Sequence, residues 1–335
     1  MDPISQGVLG ATAALLVSKN KSLSHALIAG GIGGLVADAD IVIKSNQDPL
    51  IALEFHRQFT HALLFIPIGG LIVACLLWIT FFKKKPFKQT LLFSTMGYAT
   101  HALLDACTTY GTQLLWPFSN QRVAFDSIAI IDPLVTIPLL FTVFLTYKKQ
   151  SKKWIYAGTL FFTVYMSFGF VQKQRALEAV NQIAMQQSHI ITRIKVMPTV
   201  GNLFVWRTLY ESNQRYFVNS LKIRLLGNIE TYKGASVAKL NVQTNFPELK
   251  ESSVQYQDLQ RFKWFSDGWL IIDSQQDNVI SDARYSSKLN AFDTLWGIEL
   301  DVKKQNKHVG YVMNMRGELD DFIPFNYLFD NTDKE

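Results

Sequence analysis

The chain has 335 residues, of which 48% are hydrophobic and only 18% are charged, with a formal net charge of +6. This composition excludes a disordered or fibrous protein and favours a membrane protein, because soluble domains carry about a quarter charged residues. Only two cysteines occur, Cys75 and Cys107, which excludes a disulfide framework and a cysteine-based zinc site. The length predicts two domains, and the composition changes near residue 172.

Apolar stretches in the first half predict membrane-spanning helices. The clearest covers residues 61–82, which are 22 residues without a charged side chain, enough at about 1.5 Å per residue to cross a hydrocarbon core of roughly 30 Å. Five less uniform stretches cover residues 7–18, 23–43, 91–104, 133–147 and 154–171. We therefore predict an α-helical polytopic membrane domain of about six spans over residues 1–171.

The distribution of basic residues predicts the orientation of these spans. Three alternate loops, at residues 19–21, 83–88 and 148–153, hold ten lysines, whereas the other loops hold Lys44, Arg57 and Arg122. Cytoplasmic loops carry the excess of Lys and Arg, so the lysine-rich set is predicted to be cytoplasmic. The chain after residue 172 then lies in the periplasm, and the protein is a multi-pass protein of a bacterial inner membrane.

The second half has the pattern of a soluble domain. Residues 172–190 are Gln-rich with few helix breakers, which predicts a linker helix. Residues 191–335 contain short alternating or β-branched runs separated by Gly, Asn, Pro and Asp, which predict a mainly antiparallel sheet. One helix is predicted at residues 252–264. We expect a mainly β (α+β) periplasmic domain, whose function and protein partner are not readable from its sequence.

Polar residues of the membrane half gather on one side of the predicted topology. Ionisable groups in or near a span cost several kcal/mol unless they are paired, hydrated or bound to a cation, so they mark functional sites. His101 and Asp105 are four residues apart and share one helix face, whereas Asp38 and Asp40 can act together only where their helix ends. The set on the periplasmic side is Asp2, Asp38, Asp40, His56, His61, His101, Asp105, Asp126 and Asp132.

Imidazole nitrogen and carboxylate oxygen without thiolate suit zinc, manganese or iron. A metal in such a site lowers the pKa of bound water to about 7 and polarises a carbonyl or phosphoryl oxygen, which is hydrolytic chemistry. Each single spacing is a weak signal: the His-x4-His of His56 and His61 is not a standard zinc spacing, and Asp2 or Asp40 equally fits a helix N-cap. The shared location favours a metal site.

Five short motifs hold most of these polar residues: MDPISQ at the start, ADAD at 37–40, HRQFTH at 56–61, HALLDACTTYGT at 101–112 and Asp-Pro at 132–133. Together they resemble the YdjM family of inner-membrane proteins, classed as metal-dependent hydrolases. The resemblance covers roughly residues 1–170. Gln6 departs from it, because the family has a histidine at this position, which puts one metal position in doubt.

The resemblance implies roles for individual residues. Ligands for a divalent metal, zinc first with manganese or iron as alternatives, are Asp2, Asp40, His56, His61 and His101. Under the hypothesis of a metal-dependent hydrolase, Asp38 or Asp105 would serve as general base and Arg57 would neutralise a phosphate. Thr108, Thr109 and Tyr110 would orient the substrate headgroup.

The leading hypothesis is a metal-dependent hydrolase at the outer face of the inner membrane, acting on an ester, amide or phosphoester of a lipid or envelope compound. An ion-coupled transporter is disfavoured because the cytoplasmic halves of several spans are apolar. A non-catalytic assembly or sensor protein with a structural metal site is the other alternative. Nucleic-acid binding has no support, since the excess positive charge lies in the lysine-rich loops.

Overall fold

The computed structural model describes residues 1–225 and 227–313. The chain forms two compact units, the first comprising Met1–Val42 and Phe55–Val171 and the second comprising Ile43–Glu54 and the chain from Gln172 onward. The end of the predicted β domain, residues 314–335, lies outside the described residues. Each unit is described by itself.

Each apolar stretch of the first half forms a helix. Three helical stretches are long and apolar enough to cross a membrane: Asn20–Val42, Leu63–Thr80 and Lys153–Gln186. The helices are α1 (Pro3–Val17), α2 (Leu23–Val36), α3 (Ile51–Phe55), α4 (Ile66–Thr80), α5 (Phe87–Ala106), α6 (Pro133–Lys149) and α7 (Lys153–Gln186).

The prediction of six spans is therefore not supported, and the described residues contain three candidates. The α1 helix has 15 residues, which at about 1.5 Å per residue is shorter than a hydrocarbon core of roughly 30 Å. The α6 helix has 17 residues and is short for the same reason. The α5 helix has 20 residues, but Lys, Gln, His and Asp interrupt its apolar sequence.

Glycines let α1, α2 and α5 approach closely. A Cβ atom added to Gly97 of α5 would lie 2.0 Å from the carbonyl oxygen of Gly30 in α2, and one added to Gly10 of α1 would lie 2.5 Å from the same oxygen. Small residues at helix interfaces are typical of packing inside membranes. The backbone of α2 is consequently within hydrogen-bonding reach of side chains on α5.

The outer faces of α4 and α6 expose large apolar side chains. Soluble monomers rarely expose continuous apolar surface of this kind, and hydrocarbon is its natural solvent. These helices therefore fit association with a membrane. The exposed residues include Ile68, Leu71, Ile72, Leu76 and Ile79 on α4 and Leu134, Ile137, Leu140, Phe141 and Phe144 on α6.

The last apolar stretch and the predicted linker form one continuous helix, α7, of 34 residues. Its first half is apolar and mostly exposed, as expected of a span. Beyond Gln172 the buried positions are Ala176, Ala179, Val180 and Ala184, which recur at helical spacing on one face.

The second unit is rich in sheet, as predicted. Its two antiparallel four-stranded sheets have the strand orders β1-β2-β3-β4 and β5-β6-β7-β8. Helix α9 (Val254–Phe265) corresponds to the predicted helix, and α8 (Val242–Asn245) is a short turn. The strands are β1 (Arg193–Pro198), β2 (Val205–Ser212), β3 (Arg215–Ile223), β4 (Ile229–Ala238), β5 (Leu270–Ile272), β6 (Val279–Asp282), β7 (Trp296–Glu299) and β8 (Gly310–Met313).

Candidate metal centre

The chain geometry after α2 brings two aspartates to one site. The α2 helix ends at Val36, and the chain continues as a 3₁₀ helix over Ala37–Val42. In this tighter helix the side chains of Asp38 and Asp40 need not diverge as they would in an intact α-helix. Both carboxylates face histidines of the HRQFTH motif.

Four side chains converge through one atom each: Asp38 Oδ1, His61 Nε2, His101 Nε2 and Asp105 Oδ2, all within 4.8 Å of one another. Asp38 Oδ1 lies 3.2 Å from His101 Nε2 and 3.4 Å from His61 Nε2. Asp105 Oδ2 lies 3.4 Å from His61 Nε2 and 3.7 Å from His101 Nε2. The two histidines and Asp105 are buried, whereas the Asp38 side chain is 31% exposed. We call these four residues the ligand cluster.

The spacing of the ligand cluster fits a divalent cation. Donor atoms about 2.0–2.2 Å from a tetrahedral ion lie about 3.3–3.6 Å from one another, close to the observed separations. None of the four atoms forms a hydrogen bond within the described residues, although all are buried. Buried polar atoms without hydrogen bonds are rare in native structures, and a bound cation would satisfy all four together.

The second nitrogen of each clustered histidine is held by a fixed partner. His101 Nδ1 lies 2.6 Å from the carbonyl oxygen of Gly34. Because a carbonyl only accepts, Nδ1 carries the proton and Nε2 presents its lone pair to the cluster. His61 Nδ1 lies 2.9 Å from Thr60 Oγ1. Such outer partners orient metal-binding histidines in known sites.

A second group of possible ligands adjoins the first and shares Asp38 with it: Asp38, Asp40 and His56. Asp40 Oδ1 lies 2.9 Å from His56 Nδ1, and Asp40 Oδ2 accepts hydrogen bonds from the Arg57 backbone at 3.0 Å and from Thr60 Oγ1 at 2.7 Å. Asp40 thus fixes the HRQFTH motif beside the ligand cluster. Sequence reasoning missed Thr60, although it lies within this motif.

Asp105 is also held from its other side. Its Oδ1 accepts a hydrogen bond from Gln6 Nε2 at 2.8 Å and pairs with the amino group of Met1. Arg57 Nε lies 3.0 Å from Oδ2, so a positive charge compensates this buried carboxylate. Gln6, which replaces the family histidine, therefore orients Asp105 through its amide group.

Arg57 and the predicted substrate-binding residues adjoin one another. Arg57 Nη1 donates a hydrogen bond to Thr108 Oγ1 at 3.1 Å. The guanidinium groups of Arg57 and Arg122 lie 4.7 and 5.0 Å from the centre of the Tyr110 ring. Thr109, which lies between Thr108 and Tyr110 in the chain, is buried.

Of the nine polar residues predicted to lie on the periplasmic side, Asp2, Asp126 and Asp132 belong to neither ligand group. Asp2 caps α1, where its carboxylate accepts hydrogen bonds from the Ser5 backbone at 3.0 Å and from Ser5 Oγ at 2.5 Å. Asp132 caps α6 and accepts a hydrogen bond from Tyr165 Oη at 2.8 Å. His25 lies 3.0 Å from Thr90 Oγ1 and belongs to neither ligand group.

Fold and site together define a helical membrane protein that carries a candidate metal centre of histidine and aspartate. A family model for the YdjM inner membrane protein matches residues 1–176. The chain belongs to this family, which confirms the resemblance of its motifs.

Among known proteins, the chain is similar to the uncharacterized protein YfhP of Bacillus subtilis, with 27% identity over 161 residues that cover 47% of each chain. It is also similar to the inner membrane protein YbcI of Escherichia coli K12, with 32% identity over 102 residues, 29% of this chain and 56% of the relative. The chain thus spans about half the length of these relatives. No solved structure matches it.

Proposed function

We propose that the protein is a membrane-embedded, metal-dependent hydrolase, and that the ligand cluster holds its metal. The observation that carries this proposal is the convergence of four buried atoms, from Asp38, His61, His101 and Asp105, that form no hydrogen bond within the part of the chain that the structure describes. When bound, a zinc, manganese or iron ion in such a site polarises a carbonyl or phosphoryl oxygen and lowers the pKa of coordinated water to about 7.

Asp38 is the proposed general base, so His61, His101 and Asp105 would hold the metal and one coordination position would stay open, as in catalytic zinc sites. Its side chain is 31% exposed, whereas Asp105 is fully buried and paired with Arg57. Of the two acids in the ligand cluster, Asp38 is therefore the one that can exchange a proton with solvent. Asp105 keeps its charge compensated inside the unit and holds the two histidines in place.

The proposed substrate is a phosphoester of a membrane lipid or a lipid-linked envelope compound. Arg57 and Arg122 both lie against the Tyr110 ring, with their guanidinium carbons 4.7 and 5.0 Å from its centre. Guanidinium groups match the geometry of phosphate oxygens. Arg57 also contacts Thr108 and Asp105, so a phosphate bound there would lie next to the ligand cluster.

We place the site at the periplasmic face of the inner membrane and the C-terminal domain in the periplasm. The support is the concentration of ten lysines in alternate loops of the helical half. The exposed apolar faces of α4 and α6 support contact with lipid.

The first test is the metal content of the protein purified in detergent. We expect about one zinc, manganese or iron ion per chain in the wild type and near zero in a His61→Ala, His101→Ala double variant. The matched control is His25→Ala, since His25 is a buried histidine of the same unit that belongs to neither ligand group. Equal metal content in all three proteins would contradict the proposal.

The second test is hydrolysis. Chelation should abolish release of the headgroup from phosphoester lipids in vesicles, and re-addition of the native metal should restore it. Arg57→Gln and Arg122→Gln should raise KM for a phosphoester more than for an uncharged carboxyl ester. Equal effects on both substrates would contradict the assignment of phosphate as the recognised group.

A non-catalytic assembly or sensor protein with a structural metal is the second candidate, because four protein side chains would fill the coordination shell of a structural zinc site. Asp38→Ala separates the two functions. In a catalytic site the three buried ligands should retain the metal while hydrolysis is lost. In a structural site the metal affinity should fall as far as it does in His101→Ala, with no hydrolysis in the wild type.

A further inference from the structure

The two halves of the candidate metal centre are joined along the chain by Ile43–Glu54, which we call the joining segment. Asp38 and Asp40 precede it, and His56 and Arg57 follow it. Asp40 connects the residues on either side of the joining segment, because its carboxylate contacts His56 Nδ1 at 2.9 Å and the Arg57 backbone at 3.0 Å. The residues on the two sides of the joining segment are therefore held together next to the ligand cluster.

The joining segment packs with the second unit although the residues on either side belong to the first. Within the second unit, the joining segment contacts Arg261 of α9. Arg261 donates a bidentate pair of hydrogen bonds to Glu54, at 2.6 Å from Nε and 2.9 Å from Nη2. Arg261 Nη2 also lies 2.9 Å from Asp48 Oδ2. Bidentate pairs of this kind are the stronger and more specific form of ion pair.

Arg261 is itself fixed within α9. Its Nη1 donates to Asp258 Oδ1 at 2.7 Å. Asp258 is buried, and its Oδ2 accepts a hydrogen bond from the Val309 backbone at 3.1 Å and lies 2.9 Å from His308 Nδ1. The guanidinium is consequently a rigid anchor, and the joining segment adds a buried apolar residue, Leu50, between its two acidic contacts.

This cluster is better explained as an ion-pair network than as another metal site. Asp48, Asp258 and His308 could offer three ligand atoms within 4.8 Å. However, Arg261 already binds both of these carboxylates. Both carboxylate oxygens of Asp258 are hydrogen-bonded, to Arg261 and to the Val309 backbone, whereas the four atoms of the ligand cluster form no hydrogen bond within the described residues.

We propose that Arg261 is a positioning residue for the candidate metal centre, acting through the joining segment. Glu54 belongs to the helical turn α3 (Ile51–Phe55), so holding its carboxylate also fixes the chain that leads directly into His56 and Arg57. The C-terminal domain thereby contributes to the geometry of a site to which it supplies no ligand. This inference rests on the proposed metal-binding function.

The test compares Arg261→Gln, Arg261→Lys and Glu54→Gln with the control Arg224→Gln in the full-length protein in detergent. Arg224 forms an exposed ion pair with Glu230 in the same unit. Two quantities are measured: amide hydrogen exchange of residues 55–61 and the Kd for zinc. We expect exchange to accelerate about tenfold in Arg261→Gln and Glu54→Gln, because a partly buried charged hydrogen bond is lost.

The Kd should rise several-fold in the same two variants, with Arg261→Lys intermediate and Arg224→Gln unchanged. The effects of Arg261→Gln and Glu54→Gln should be less than additive in the double variant, since both remove the Arg261–Glu54 pair. Unchanged exchange at residues 55–61 in Glu54→Gln would overturn the proposal, and so would faster exchange without a change in Kd.

Two further outcomes separate failures of different origin. If wild type and His61→Ala, His101→Ala bind equally little zinc, the proposed function fails, while exchange at residues 55–61 still decides whether Arg261 positions this segment. If Arg261→Gln also accelerates exchange in β2 and β3, it has destabilised the second unit. Glu54→Gln, which leaves the Arg261–Asp258 pair intact, then gives the decisive measurement.

Discussion

The Nδ1 atom of His101 lies 2.6 Å from the carbonyl oxygen of Gly34, which ties a candidate metal ligand on α5 to the backbone of α2. The contact needs a bare backbone at this crossing, since a Cβ atom on the preceding Gly33 would lie 2.4 Å from the carbonyl oxygen of Ser94 in α5. The close approach of α2 and α5 is therefore required both for helix packing and for the orientation of His101. The glycines of α2 serve both.

Gly97→Ala should destabilise the protein. Its Cβ atom would lie 2.0 Å from the carbonyl oxygen of Gly30, so α5 must move away from α2, and overpacking of this kind costs about 1–3 kcal/mol. Thermal unfolding in detergent measures the effect. The control is Gly31→Ala, where the nearest atom lies at 3.5 Å and the better helix propensity of alanine is expected to leave stability equal or slightly higher. Equal destabilisation by both variants would contradict the packing argument.

Thr60→Val should weaken metal binding without unfolding the protein. Thr60 Oγ1 donates to Asp40 Oδ2 at 2.7 Å and lies 2.9 Å from His61 Nδ1, so its loss releases both a ligand and the acid that orients the motif. Removal of such outer partners typically costs about 10–100-fold in metal affinity. Isothermal titration with zinc provides the Kd. Thr12→Val is the control, because Thr12 is a buried threonine of the same unit whose hydroxyl donates to the Val8 carbonyl in α1.

Gln6→Leu should also raise the Kd for zinc, by about tenfold. The variant keeps the approximate volume but removes the hydrogen bond of 2.8 Å from Gln6 Nε2 to Asp105 Oδ1, which leaves the carboxylate less well oriented. A Kd equal to that of the wild type would show that Arg57 and the Met1 amino group suffice to hold Asp105. Gln6 would then have no orienting role, and its only consequence would be the loss of the family histidine as a ligand.

The site was more predictable from sequence than the number of spans. His101 and Asp105 share a helix face at a spacing of four, and the ADAD motif required a helix end, which the structure has at Val36. These inferences needed only local geometry. The number of spans was not predictable in the same way, because burial inside a helical bundle and burial in lipid select the same apolar residues. The α1 and α6 helices illustrate this ambiguity.

The role of the joining segment had no signal in the sequence. Asp48 and Glu54 have the composition of an ordinary polar loop, and their partner Arg261 follows more than 200 residues later. Such a contact depends on tertiary structure alone. The continuity of α7 through Gln172 was missed for a related reason, since a change in composition indicates a change of surroundings and need not end a helix.

The orientation of the chain in the membrane remains a prediction, and cysteine labelling tests it directly. The chain has two cysteines, Cys75 and Cys107, so their replacement by serine gives a clean background for single cysteines at the exposed positions Asp277 and Lys84. If lysine-rich loops are cytoplasmic, a membrane-impermeant maleimide should label Asp277→Cys in intact spheroplasts and Lys84→Cys only after permeabilisation. The reverse pattern would place the C-terminal domain in the cytoplasm and would contradict the proposed periplasmic location.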